Sequence, residues 1–139
     1  GAIPIGQSHS LNKINIVLQN LLNVPYKWGG KTSLGFDCSG LVQSVLSIYG
    51  IKIPRDSKNQ WRFLEPYKIN IDKAKKGDLH FFGKKGEVSH VGFACGGYDF
   101  IHSQGYVKKE SLDQNDPNFN KSLLDIYLSS ASIRLKFKL

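Results

Sequence analysis

Only two cysteines, Cys38 and Cys95, occur in the 139 residues, and two do not make a disulfide framework. The chain must therefore stand on an apolar core, and at 40% hydrophobic residues it has enough to build one. No run approaches the ~18 apolar residues that a membrane-spanning helix requires, so no transmembrane segment is expected. The first residues lack the charged, then apolar, then small order of a signal peptide, and the opening Gly1-Ala2 is compatible with a processed end. Internal repeats, low-complexity tracts and linkers are missing, and the length is that of one domain, residues 1–139. Acidic side chains are the minority, 11 against 19 basic, giving a net charge of +8. Such a field favours anionic partners: nucleic acid, anionic lipid or an acidic cell-wall polymer. No helix-turn-helix, zinc-ligand set or aromatic RNA-binding signature accompanies the charge, so nucleic acid is not an expected partner. The lysines are scattered and read as a solvated surface.

What is present is a change of period. Leu11, Ile14, Leu18, Leu21 and Leu22 recur at helical spacing, which predicts an amphipathic helix over 9–23, ended by Val24-Pro25. Residues 26–37, rich in Gly and polar side chains, read as a loop. Asp37 is a good N-cap for a second helix over roughly 38–49, closed by Gly50. Leu41, Val42, Val45, Leu46 and Tyr49 give that helix a broad apolar face. Further on the period becomes two: 79–82, 88–94 and 98–103 read as strands and 105–108 as a weaker one. A short helix is expected at 119–128. Ile133, Leu135, Phe137 and Leu139 alternate with polar residues and predict a final strand. Helices first and an antiparallel sheet after them argue for an α+β domain.

Cys38 falls in the first turn of the second helix. Unpaired amides and the helix dipole there stabilise a thiolate and lower a cysteine pKa. The same amides can hydrogen-bond an oxyanion. Trp28-Gly29-Gly30 lets backbone approach a substrate, and Ser39-Gly40 leave the thiol accessible. A buried structural cysteine is the plain alternative; the helix start, small neighbours and flanking loop outweigh it.

In strand 88–94, alternation puts His90, Gly92 and Ala94 on one face, as if something bulky came close to the glycine. With a three-residue loop Cys95-Gly96-Gly97, Ala94 pairs with Tyr98, Gly92 with Phe100 and His90 with His102. The two histidines then face each other with Cβ atoms about 5 Å apart. A two-residue Gly96-Gly97 turn would instead split them between the faces. In the first register Cys38 is a nucleophile, His90 its general base and His102 the group that orients His90. His9, His80 and Cys95 read as structural or surface groups. A Cys/His/His set could also hold zinc with an open fourth position, but it offers no close ligand pair. Neither a metal nor another cofactor is expected.

Several segments now add up. Pro25-Tyr26-Lys27-Trp28-Gly29-Gly30, Asp37-Cys38-Ser39-Gly40-Leu41-Val42-Gln43 and Gly77-Asp78-Leu79 with Phe81-Phe82 are followed by Ser89-His90-Val91-Gly92 and Phe100-Ile101-His102. Together they resemble the NlpC-type cysteine peptidases of bacterial cell walls, over about residues 10–139. The resemblance implies a papain-like fold, with the cysteine helix packed on the sheet that bears both histidines. It implies a thiol peptidase that cuts peptidoglycan stem peptides through Cys38, His90 and His102 and a thioester intermediate, with the Tyr26 hydroxyl near the thiol.

Arg55-Asp56-Ser57 and the Asp37/Ser39 pair are similar to one subgroup, the γ-D-glutamyl-diamino acid endopeptidases. That likeness implies that Asp37, Ser39, Asp56 and Ser57 bind polar groups of the stem peptide, with Trp28 at the edge of the site. The implied partner is peptidoglycan or a released muropeptide, and the implied state a monomer. The implied location is the bacterial cell envelope, periplasmic or secreted, with cytoplasmic recycling as the alternative. The subgroup usually carries a small Src-homology-like barrel ahead of the catalytic domain. Only about ten residues precede the first helix here, which weakens the expected demand for a free N-terminal L-Ala. His80 stands where the family usually has an apolar strand residue. Two other readings compete. A catalytically weak wall-peptide binding module has no need of an intact Cys/His/His set. A thiol acyltransferase or amidase of related fold is disfavoured because in the permuted relatives the histidine precedes the cysteine.

Overall fold

The computed structural model describes residue 11 and residues 13–32 and 35–139; His9 and the first part of the expected helix 9–23 lie outside them. Helix α1 covers Ile14–Leu21, and a two-stranded ribbon, β1 Lys31–Thr32 and β2 Gly35–Phe36, leads to helix α2, Cys38–Ile48. Helix α3 follows at Ser57–Leu64. The strands are β3 Lys68–Ile69, β4 Leu79–Phe82, β5 His90–Gly96, β6 Asp99–Gln104 and β7 Tyr106–Ser111. After helix α4, Lys121–Asp125, come strand β8, Tyr127–Ala131, and helix α5, Ile133–Phe137. Six strands form one antiparallel sheet in the order β3-β8-β4-β5-β6-β7. The fold is papain-like α+β.

Helix α2 is the spine of the core. Asp37 caps it, its Oδ1 accepting from the Gly40 amide at 2.6 Å, and Gly50 at φ 75° ends it. Leu41, Val42, Val45 and Leu46 are buried against Leu79, Phe81, Val91, Phe93 and Ile101 of the sheet. Each such side chain contributes about 1.5–3 kcal/mol by leaving water. Phe82, Phe100, Leu112 and Leu123 make a second cluster. The sheet is therefore apolar on both faces, which suits a central layer.

Two expectations fail in whole or part, and the reasons are local. Residues 133–139 alternate like a strand but form α5 over Ile133–Phe137. The strand place beside β4 is already taken by β8, and Ser132 caps a helix, its Oγ accepting from Leu135 N at 3.1 Å. Only Ile133 of that apolar set is fully buried; Leu135 is 58% exposed. The helix expected at 119–128 stops at Asp125, because Tyr127–Ala131 pairs with β4 and β3. Serines there bond to side chains of neighbouring elements: Trp61 Nε1 donates to Ser129 Oγ at 3.1 Å, and Ser130 Oγ lies 2.6 Å from His80 Nδ1. The weak strand at 105–108 runs through Ser111. Among the described residues no helix is long and apolar enough to cross a membrane.

Candidate active site

Cys38 is the first residue of α2. The turn before it is held by Asp37, whose carboxylate accepts from five donors: the Gly40 and Gly29 amides, both Nη atoms of Arg55, and the Ser39 hydroxyl at a long 3.5 Å. Arg55 Nη1 also donates to Ser39 Oγ at 3.0 Å. Gly40 is obligatory here, since a Cβ on it would lie 2.1 Å from the Gly30 carbonyl oxygen. The cap thus presses α2 against the Gly29-Gly30 loop and directs Cys38 to the start of β5. The Sγ atom lies 4.0 Å from the carbonyl oxygen of Ser89, the residue before His90.

The histidine register differs from the expected one by two residues. Ala94 pairs with Phe100, not Tyr98. Continued along β5, this sets Gly92 across from His102. A Cβ on Gly92 would sit 2.9 Å from that of His102, so His102 itself is the bulky group near the glycine. The turn is shorter than expected, with Gly96 paired to Asp99. Taken alone it would put the histidines on opposite faces; a bulge between Ala94 and Gly96 adds the residue that restores the parity. Gly96 and Gly97, at φ 107° and 58°, make the reversal. The histidines share a face and meet diagonally, His90 Nε2 lying 2.8 Å from His102 Nδ1 with the rings edge to face.

A third group stands behind them. Glu110 Oε1 lies 2.7 Å from His102 Nε2 and accepts from Asn120 Nδ2 at 3.0 Å; Lys108 Nζ is 3.8 Å away. Burial drives His90 down to about 3, helped by the neighbouring His102 and Lys108. His102 is also lowered, by burial against the opposing pull of Glu110. Hydrogen bonding to His102 holds Glu110 down at about 2. The thiol contradicts the expectation of an acidified cysteine. Burial pushes Cys38 up and the Asp37 carboxylate adds to this, outweighing the pull of backbone amides at the helix start. Burial thus works against charge on the thiol and on both imidazoles.

The thiol opens into a cleft of about 510 Å³. Of the sequence-predicted residues, Tyr26, Trp28, Asp37, Ser39, Asp56 and Ser57 line it with Cys38. Trp28 stands at the rim, 87% exposed. Tyr26 is half-buried; burial, then Cys38 and Asp37 nearby, push its hydroxyl up. Asp56 occupies the N-cap position of α3 without making a cap hydrogen bond, so its carboxylate is offered to the cleft. A larger open groove of about 770 Å³ runs along β3 and β8; neither cysteine nor histidine lines it, so the thiol cleft is the candidate site.

Arg55, Ser89 and Glu110 were missed as site residues. The Arg55-Asp56-Ser57 string contained a signal for the first. Nothing local marks Glu110, whose partner lies eight residues back across a hairpin. His80 is fully buried on Ser130, and Cys95 sits in the bulge, its thiol pushed up to about 12 by burial. Among the described residues no three His, Cys, Asp or Glu side chains converge as metal ligands.

A papain-like fold whose spine helix begins with a cleft-facing cysteine, beside a strand that begins with an imidazole, is the architecture of thiol hydrolases. The chain belongs to the NlpC/P60 family, whose model matches residues 23–126. It is 41% identical over 106 residues to a gamma-D-glutamyl-L-lysine dipeptidyl-peptidase of Bacillus subtilis, covering 73% of this chain and 35% of that one. Among solved structures, an NlpC/P60 family protein from Bacillus cereus superposes with a TM-score of 0.71 at 32% identity, over 88% of this chain and 39% of that one. The NlpC/p60 domain of the peptidoglycan hydrolase SagA gives 0.68 at 32% identity, over 86% of this chain and 96% of that one. The chain spans about a third of the length of the curated relatives it matches first.

Proposed function

We propose that this chain is a cysteine endopeptidase that hydrolyses peptidoglycan stem peptides at the bond between the γ-carboxyl of D-glutamate and a diamino acid. Cys38 is the nucleophile. His90 uses Nε2 toward His102, so Nδ1 receives the thiol proton as Sγ attacks the γ-carbonyl carbon. Backbone N–H groups at the start of α2 and the Tyr26 hydroxyl stabilise the oxyanion. The His90 imidazolium then protonates the leaving amine, and a thioester remains. Water, deprotonated by His90, hydrolyses it and frees Cys38.

The observation that carries this reading is the placement of Cys38 at a helix start, open to a cleft and in contact with the residue preceding His90. Because burial disfavours charge on both members of the pair, proton transfer accompanies attack. Asp37 and Ser39 act on substrate through Arg55, whose side chain is 31% exposed in the cleft and suits a substrate carboxylate. Asp56 and Ser57 supply the acceptors for substrate N–H groups, and Trp28 covers the rim. The substrate places the protein at the cell envelope, outside the membrane, or in recycling of released peptides. The test is incubation with L-Ala-γ-D-Glu-L-Lys and with whole sacculi, read by mass spectrometry. The wild type frees lysine and L-Ala-D-Glu from the tripeptide and leaves L-Ala-D-Glu ends on the glycan of sacculi, and Cys38→Ala does neither; binding without cleavage by the wild type would make the chain a wall-peptide binding module.

A further inference from the structure

The His90 imidazole serves Cys38 as a base only if the ring nitrogen not used toward His102 carries a lone pair. The contacts behind it have a single polarity. An ionised carboxylate only accepts, so the 2.7 Å contact with Glu110 puts a proton on His102 Nε2. His102 is fully buried, and burial holds it below its ordinary value against the pull of Glu110; with one proton on the ring and that proton on Nε2, its Nδ1 has none. The 2.8 Å contact is then donated by His90 Nε2–H to His102 Nδ1. A neutral His90 with its proton on Nε2 leaves Nδ1 bare.

We propose that Glu110 is a positioning residue that fixes the tautomers of both histidines, His102 and His90 each protonated on Nε2, so that His90 presents an unprotonated Nδ1 to Cys38. The proposal rests on the reading of Cys38 and His90 as nucleophile and base. Its surroundings equip Glu110 for this. Asn120 donates to the same Oε1 while its own Oδ1 accepts from Leu123 N and caps α4, so the carboxylate is anchored to a helix start. Lys108 partly balances the charge. Glu110 therefore orients His102 without drawing a second proton onto it. A doubly protonated His102 would donate from Nδ1, reverse the chain and put a proton on His90 Nδ1, where the thiol proton must go. During attack one proton moves from Sγ to Nδ1. The bond from the resulting imidazolium to His102 becomes charge-assisted, with Glu110 at its far end.

The test is the long-range ¹H–¹⁵N spectrum of the whole protein labelled at histidine, recorded near neutral pH for wild type, Glu110→Gln and Glu110→Ala beside hydrolysis of a γ-D-glutamyl peptide. Wild type and Glu110→Gln, which keeps the acceptor oxygen, show both histidines protonated on Nε2. Glu110→Ala loses the fixed tautomer of His102, and its kcat falls about 10- to 100-fold with KM little changed, since Glu110 does not line the cleft. A wild-type His90 protonated on Nδ1, or unchanged tautomers in Glu110→Ala, overturns the proposal. If Glu110→Ala does not fold, the wild-type spectrum decides. The predicted tautomers in a wild type that cleaves nothing would leave the proposal standing and remove the peptidase reading instead.

Discussion

Arg55 closes on Asp37 with two hydrogen bonds, Nη1 to Oδ1 at 3.0 Å and Nη2 to Oδ2 at 2.8 Å, and so ties the approach to α3 to the cap of the nucleophile helix. Arg55→Lys keeps the charge and loses the fork. It should cost about 1–2 kcal/mol of stability, discounted for the partial exposure of the pair, and raise KM more than it lowers kcat. Urea midpoints and steady-state kinetics check both; a lysine variant equal to wild type in each would show that the fork carries no weight.

Gly92→Ala should harm the site out of proportion to its size. The new methyl would meet the His102 Cβ at 2.9 Å, and that atom is tied to backbone, so β5 and β6 must separate. The expected loss is about 1–3 kcal/mol, with a fall in kcat as the His90–His102 contact opens. A melting curve and rate constants indistinguishable from wild type would contradict the register.

Acid should destabilise the fold before its carboxylates titrate. His80 and His90, ordinarily near 6.5, are lowered by burial to about 4 and about 3. Between 6.5 and those values the unfolded chain takes up protons that the folded chain refuses. Stability present above pH 6.5 is lost as pH falls, at up to about 1.4 kcal/mol per pH unit for each histidine. His102 adds in the same direction. Asp78, raised by burial above 3.8, works the other way at lower pH. Urea midpoints that stay flat from pH 7 to 5 would contradict the burial of these imidazoles.

The Cys38 thiol of the free protein should alkylate slowly at neutral pH. Its pKa is raised above 9.0 by burial, so the thiolate fraction grows only on the alkaline side. Iodoacetamide rates should climb steadily beyond pH 8; a plateau already reached at pH 6 would indicate a preformed thiolate–imidazolium pair.

The sequence made α2 and its cap legible because Asp37, the apolar face and Gly50 all mark the same boundaries. It made the central strands legible because short runs of aromatic and β-branched residues lie between Gly-rich and polar turns there, although both faces of those strands are buried. The C-terminal region was not legible: the alternation of Ile133 to Leu139 is a true pattern, yet whether a strand can join depends on which neighbour already occupies the sheet. The histidine pairing was right in parity and wrong in register, since a bulge at Cys95 cannot be read from a Cys-Gly-Gly string. Glu110 was invisible because its role comes from a cross-strand contact, whereas the thiol's raised pKa reflects burial that local helix-start reasoning does not count.

The most direct measurement is mass spectrometry of L-Ala-γ-D-Glu-L-Lys after incubation with wild type and with Cys38→Ala. Free lysine and L-Ala-D-Glu are expected from the wild type only, with an acyl adduct on Cys38 trappable at low pH. Intact tripeptide with the folded wild type, or equal cleavage by Cys38→Ala, would contradict the peptidase reading.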